Sequence, residues 1–105
     1  MTDFTLAGYV ARHERAPAFE GSDGRAYSVD FWVDDDPDAR GRYGAAILFL
    51  RWGRGGEAPD GHLESEYVAF GATPDEARER AGALSLYDAK ALLEELIAHG
   101  RPEEF

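Results

Sequence analysis

The 105-residue sequence contains no cysteine, and this absence limits the chemistry available to the protein. It excludes a disulfide framework, thiolate metal ligands and a cysteine nucleophile, and it fits a reducing compartment. Long apolar runs are lacking too, because the longest, residues 44–50, is far shorter than the roughly 20 residues of a membrane-spanning helix. The N-terminal MTDFTLAGYV lacks the basic start and apolar stretch of a signal peptide. We therefore predict a single cytoplasmic domain without membrane contact.

Positive charge is scarce, since 11 Lys and Arg residues face 21 Asp and Glu residues and give a formal net charge of −10. A protein of this charge repels nucleic acid and anionic membranes, so neither is expected as a partner. The acidic residues are densest in the C-terminal half, which favours a basic protein partner as one hypothesis. The basic residues are almost all Arg, and together with the many Ala and Gly residues this bias is typical of a GC-rich bacterial genome.

Catalytic motifs are lacking as well. The sequence has no G-x-S-x-G, H-E-x-x-H, Walker lysine or G-x-G-x-x-G motif. His13 and Glu14 could supply acid and base groups, but adjacent residues of a strand face opposite ways and would not cooperate. We assign no catalytic residue and no cofactor. A non-enzymatic role is favoured, and an enzyme is the open alternative.

What the sequence does contain is four segments with strand character, separated by clusters of Gly, Pro and Asp. Residues 4–13 predict a first strand. Residues 25–33 alternate cleanly and predict a strand with one buried face and one exposed face, the latter carrying Trp32. Residues 43–52 are apolar on both faces, which indicates a central strand or one that has a face in an interface. Residues 62–70 alternate weakly, with Leu63, Tyr67 and Ala69 on one side, and predict an edge strand.

Two helices are predicted after the strands. Thr73 is a candidate N-cap, followed by Pro74 at the first helical position and Glu76 at the capping-box position. The apolar stripe shifts near Gly82, and Ser85 can cap a second helix over about residues 86–98, so we expect a broken or kinked helix pair that ends at Gly100 and Pro102. The expected fold is α+β: a four-stranded antiparallel meander, then helices packed on one sheet face in the order β-β-β-β-α-α.

One segment resembles a known family. The stretch YVAFGATPDEARERAGALSLYDAKALLEELI, residues 67–97, is similar to the strand, Gly-x-Thr-x-x-Glu-Ala turn and helix of the HicB-like antitoxin domain family. The resemblance covers under a third of the chain. The Asp-Leu-Pro-Gly-Cys stretch that usually precedes the turn is absent, and no function is carried over from it.

Two groups of residues have a spacing that suggests cation binding. Asp34, Asp36 and Asp38 match the first oxygen ligands of a calcium loop, but Ala39 stands where the tight turn needs Gly, so we interpret the segment as an Asp-Pro turn. A second set alternates on one strand face and could offer one nitrogen and two carboxylates to a metal: His62, Glu64 and Glu66. The alternative for this set is the solvated face of an edge strand.

The aromatic residues give the leading functional hypothesis. Trp32 lies on the otherwise polar face of its strand, where it is either an exposed anchor for a partner or covered by the preceding connection. We predict that Trp32, Tyr43 and Trp52 form a patch on the free sheet face that binds a protein partner or a second copy of the chain. The alternatives are a cation- or small-molecule-binding protein and an acidic inhibitor or immunity-type protein that binds a basic partner.

Overall fold

The computed structural model describes residues 5–8, 19–99 and 103–104, which form one antiparallel sheet and two helices. The elements in chain order are β1 (Phe19–Glu20), β2 (Ala26–Val33), β3 (Tyr43–Trp52), β4 (Pro59–Glu64), β5 (Ala69–Gly71), α1 (Pro74–Gly82), α2 (Leu86–His99) and β6 (Glu103–Glu104). The strands are ordered β1-β2-β3-β4-β6, and β5 pairs with β3. The predicted α+β fold is confirmed. Neither of the helices in the described ranges has the length and apolar character needed to cross a membrane.

The central pair of strands follows the predicted alternation. In β2 and β3 the odd-numbered residues form the inner face, which packs against the helices and contains the fully buried Tyr27, Ile47 and Phe49. The even-numbered residues form the outer face, which points away from the helices. Its β2 and β3 members are Ala26, Ser28, Asp30, Trp32, Gly44, Ala46, Leu48, Leu50 and Trp52. The two-faced apolar character predicted for residues 43–52 therefore belongs to a central strand.

The predicted edge strand over residues 62–70 is interrupted. β4 pairs with the second half of β3 and β5 with the first half, and residues 65–68 connect them. Leu48 pairs with Glu64 and Ala45 pairs with Ala69. These two pairs are three residues apart along β3 but five residues apart along the opposite segment. The connection between β4 and β5 therefore contains two extra residues. The Ser65 side chain stabilises the interruption, because its Oγ accepts a hydrogen bond from the Ile47 backbone N–H (2.9 Å) and donates one to the Glu66 carbonyl (2.7 Å).

Both predicted helix starts are confirmed. Thr73 Oγ1 accepts a hydrogen bond from the Glu76 N–H at 3.1 Å, and Ser85 Oγ accepts one from the Asp88 N–H at 3.0 Å. The chain breaks between the helices after Gly82, as predicted, so that each helix turns its own apolar stripe to the sheet. α1 lies close to β5: a Cβ at Gly71 would be only 2.5 Å from the Ala77 backbone nitrogen. The predicted stop at Gly100 and Pro102 falls outside the described residues.

The predicted first strand is wrong where the structure describes it. Residues 6–8 are helical, and Thr5 forms only an isolated bridge with Ser85. Thr5 Oγ1 accepts a hydrogen bond from the Gly8 N–H (3.2 Å), which favours a helical turn over an extended strand. Leu6 is fully buried, and its N–H donates to the Leu84 carbonyl at 2.7 Å. The segment thus packs against the junction between the helices. The rest of the predicted strand, residue 4 and residues 9–13, lies outside the described residues.

Candidate functional site

The outer face carries a parallel pair of aromatic side chains at one end of the sheet. The rings of Trp32 and Tyr67 have centroids 6.3 Å apart and planes inclined by only 6°. Each of the two side chains is 43% exposed, which is large for an aromatic residue. Trp32 is therefore an exposed residue, and its role as an anchor for a partner stays a prediction.

The interruption between β4 and β5 is what brings Tyr67 onto this face. In an unbroken strand Tyr67 would share a face with Leu63, which is buried in the core. The two extra residues turn Tyr67 outward instead, and they restore the alternation by Ala69, which packs on the inner face. The ring of Tyr67 lies directly over Gly44, where a Cβ would come within 2.6 Å of its Cδ2 atom. Only glycine at position 44 leaves room for the ring.

Phe70 and Arg42 extend the pair into a row. The Phe70 ring meets the Tyr67 ring edge-on, with centroids 5.6 Å apart and planes at 83°. The guanidinium carbon of Arg42 lies 4.4 Å from the centroid of the Phe70 ring, within cation–π distance. We call Trp32, Tyr67 and Phe70 the aromatic row. One end of the row is thus covered by a guanidinium, whereas Trp32 at the other end is exposed.

Asp34 holds Tyr67 in place by accepting a hydrogen bond from its hydroxyl. This hydrogen bond raises the pKa of the Tyr67 hydroxyl above its usual range, with further contributions from partial desolvation and from the nearby carboxylates of Asp34 and Glu64. The same bond, with a second from the Asp36 backbone N–H, lowers the pKa of Asp34 below its usual range. At neutral pH Tyr67 is therefore neutral and Asp34 is ionised.

A groove of about 420 Å³ lies beside the ring pair and is acidic. We call it the acidic groove; it is lined by Trp32, Ala46, Glu64, Ser65, Glu66 and Tyr67. Both glutamates are exposed, and Asp34 adds a third carboxylate beside the groove at the hydroxyl of Tyr67. No basic side chain is among these lining residues. The groove combines exposed aromatic surface with the negative charge of two glutamates, which suits a cation attached to an organic group.

The three aromatic residues predicted to form one patch do not share a surface. Trp32 lines the acidic groove, but Tyr43 is on the inner face, where it packs against the core. Strand alternation thus places Tyr43 on the face opposite to Trp32. Trp52 is on the outer face at the far end of β3, where its indole Nε1–H donates to Ser28 Oγ at 2.8 Å. It lines a second groove of about 330 Å³, next to Arg25 and Arg54.

The end of the sheet near Trp52 is organised by a carboxylate between two arginines. Asp60 accepts hydrogen bonds from Arg25 Nη2 and from Arg51 Nε (2.8 Å), and both arginine side chains are only 13% exposed. Asp60 has no partner across the ladder, because Arg51 pairs with Gly61 and Trp52 pairs with Pro59. This bulge brings Asp60 to the arginines, whose hydrogen bonds, that of Arg51 first, lower the pKa of its carboxyl.

The residues suggested for cation binding serve other purposes or stay apart. Among the described residues, one group has its ligand-type atoms within 4.8 Å of one another, namely Asp34, Asp35 and Asp36, and the set His62, Glu64 and Glu66 is not brought together in this way. His62 and Glu64 are on the outer face of β4, whereas Glu66 lies in the interruption beyond it.

The aspartate segment has the hydrogen bonds of a turn. Asp34 Oδ1 accepts from the Asp36 N–H (2.9 Å), and Asp38 Oδ1 accepts from the N–H groups of Arg40 and Arg42 (both 2.9 Å). The guanidinium of Arg42 also lies 3.0 Å from Asp38 Oδ2. Aspartates in this pattern form Asx turns, as the Asp-Pro interpretation predicted.

Two residues that shape the acidic groove were not identified from the sequence: Tyr67, which lines it, and Asp34, which holds Tyr67. Alternation assigned Tyr67 to the wrong face because the interruption was not foreseen, and Asp34 was considered only as a metal ligand or as part of a turn. Gly44 was the sequence feature that could have indicated the contact with Tyr67, since a glycine within an otherwise apolar central strand marks a close approach by another group.

Comparison of the chain with protein families, with curated proteins and with solved structures gave no match.

Proposed function

We propose that the protein is a non-enzymatic binding module whose acidic groove binds a basic segment of another protein. The observation that carries the proposal is the exposed Trp32–Tyr67 ring pair bordered by Glu64 and Glu66. Exposed aromatic side chains supply contact area with little loss of side-chain entropy, and they dominate the energy of many interfaces. The carboxylates would orient a basic partner and accelerate its association.

The charge of the groove favours a different protein over a second copy of this chain. Two acidic grooves brought face to face would place Glu64, Glu66 and Asp34 of one copy near the same groups of the other, and like charges in an interface cost affinity. A basic segment meets no such repulsion. The formal net charge of −10 attracts it from a distance at low ionic strength.

The test uses a synthetic peptide of Gly and Ser that contains three Arg residues, titrated into the ¹⁵N-labelled protein. We expect amide shifts concentrated at residues 64–67 and 30–34 and at the Trp32 indole, with an affinity that falls as salt is added. The double variant Glu64→Gln/Glu66→Gln should bind about fivefold or more weakly, in keeping with the loss of two charge-assisted contacts.

The matched control is Glu79→Gln/Glu95→Gln. It changes the net charge of the protein by the same amount but alters exposed residues of α1 and α2. This variant should bind the peptide nearly as well as the unchanged protein. Equal losses of peptide affinity in the two double variants would mean that binding depends only on the overall charge of the protein. That result would reject the groove as the binding site.

A further inference from the structure

The aromatic row already contains one guanidinium, and this contact shows what the surface selects. Arg42 stacks over Phe70 at 4.4 Å while its guanidinium also pairs with Asp38 at 3.0 Å. A planar cation can cover a ring with its face and donate hydrogen bonds to a carboxylate from its edge. An ammonium group cannot do both with the same geometry, because it is a compact and strongly hydrated point charge.

The other end of the row repeats the same two components, and no basic side chain is among the described residues that line the groove there. Trp32 supplies the ring, and indole is the strongest cation–π acceptor among the side chains. Glu64 and Glu66 supply carboxylates in the same groove. The hydrogen bond from Tyr67 to the ionised Asp34 polarises the neighbouring phenol ring and makes its face more attractive to a cation.

We infer that the basic partner is anchored by an arginine side chain, whose guanidinium stacks on the exposed Trp32–Tyr67 pair and donates hydrogen bonds to Glu64 and Glu66. This inference rests on the proposed function and specifies its ligand. It makes Arg the preferred residue over Lys at one position of the bound segment. The preference comes from the rings together with the carboxylates, since charge alone would accept either residue.

The experiment compares three Gly-Ser peptides that differ only at one central residue: Arg, Lys or citrulline. Citrulline keeps the planar shape of Arg and lacks its charge. Isothermal titration and NMR shifts of the unmodified protein should show the Arg peptide binding about fivefold more tightly than the Lys peptide, as one stacked cation–π contact provides. The citrulline peptide should bind more weakly than both.

Variants of Trp32 separate stacking from charge. Trp32→Ala should bring the affinities for the Arg and Lys peptides close together, whereas Trp32→Phe should keep part of the preference because a ring remains. Tyr87→Ala is the control, since Tyr87 is 89% exposed on α2 and should leave the preference unchanged. Amide spectra of each variant establish that it is folded before binding is measured.

The outcomes distinguish this inference from the proposed function. If the Lys and Arg peptides bind equally to the unmodified protein and Glu64→Gln/Glu66→Gln weakens both, the arginine anchor is wrong and the basic-segment site stands. If Trp32→Ala still binds the Arg peptide more tightly than the Lys peptide, the inference of an arginine anchor is also wrong. If none of the three peptides binds, both the inference and the proposed function are rejected.

Discussion

The two faces of the β2–β3 ladder obey the same alternation and are filled in opposite ways. On the inner face Tyr27, Ile47 and Phe49 are fully buried beneath the helices. On the outer face Trp32 is 43% exposed, and it lines the acidic groove together with its buried cross-strand neighbour Ala46. The inner face therefore determines stability, whereas the outer face is arranged around a groove. Changes on the two faces should therefore affect different properties.

The largest expected effect on stability is in the core between the inner face and the helices. Leu93 is fully buried on α2, so Leu93→Ala should lower the free energy of unfolding by about 2–5 kcal/mol through lost burial and the cavity left behind. Tyr87→Ala on the same helix removes an 89% exposed ring and should change the free energy of unfolding by less than about 0.5 kcal/mol. Urea denaturation measures both. Similar losses for the two variants would contradict the assignment of the buried face of α2.

A smaller loss of stability is expected from a change to Asp60, at the end of the sheet near Trp52. Asp60→Asn removes the carboxylate between Arg25 and Arg51, so two guanidiniums of like charge are left close together. Because the pKa of Asp60 is lowered in the folded protein, the stability that it contributes is present above the ordinary Asp pKa of about 4 and is lost as the pH falls through the lowered value.

The melting temperature of the Asp60→Asn variant should therefore lie below that of the unchanged protein at pH 7, and the gap should narrow as the pH falls below about 4. Melting curves followed by circular dichroism between pH 7 and pH 2 measure the gap. A constant gap over this range would show that the ionised carboxylate is not the stabilising form.

The smallest effect on stability, with a clear effect on the groove, is expected from Gly44→Ala. The added Cβ would lie 2.6 Å from the Tyr67 ring, so the ring must move. Tyr67 is partly exposed, which leaves the ring space to move toward solvent. We expect altered Trp32 ring-current shifts and severalfold weaker binding of the Arg peptide. Gly55→Ala is the control, because a Cβ there meets nothing within 4 Å. Unchanged binding by Gly44→Ala would show that the position of Tyr67 does not matter.

Most of the fold could be predicted because its elements are specified locally. The alternation in residues 26–33 gave the correct faces, and Thr73 and Ser85 gave the correct helix starts. The first strand was predicted wrongly at residues 5–8, because the hydrogen bond that the Thr5 side chain accepts from the Gly8 N–H and the burial of Leu6 outweigh a weak apolar alternation.

The candidate site was less predictable because it depends on contacts between distant segments. Trp32 was identified from its position on a polar strand face. Tyr67 was assigned to the wrong face, since the two-residue insertion depends on Ser65 meeting Ile47 across the ladder. Asp60 reaches its arginines only through a register shift. Periodicity within one segment does not report such shifts.

The interruption between β4 and β5 affects how the sequence of the acidic groove can change during evolution. Its two ends are held by backbone hydrogen bonds to β3, from the Ser65 N–H to the Ile47 carbonyl (3.0 Å) and from the Val68 N–H to the Ala45 carbonyl (2.8 Å). Glu66 and Tyr67 between them contribute exposed side chains to the groove and none to the core. If the groove binds a partner as proposed, substitutions at these two positions would change which ligand is recognised while the pairing of both flanking strands is preserved, so selection could act on recognition and on folding separately.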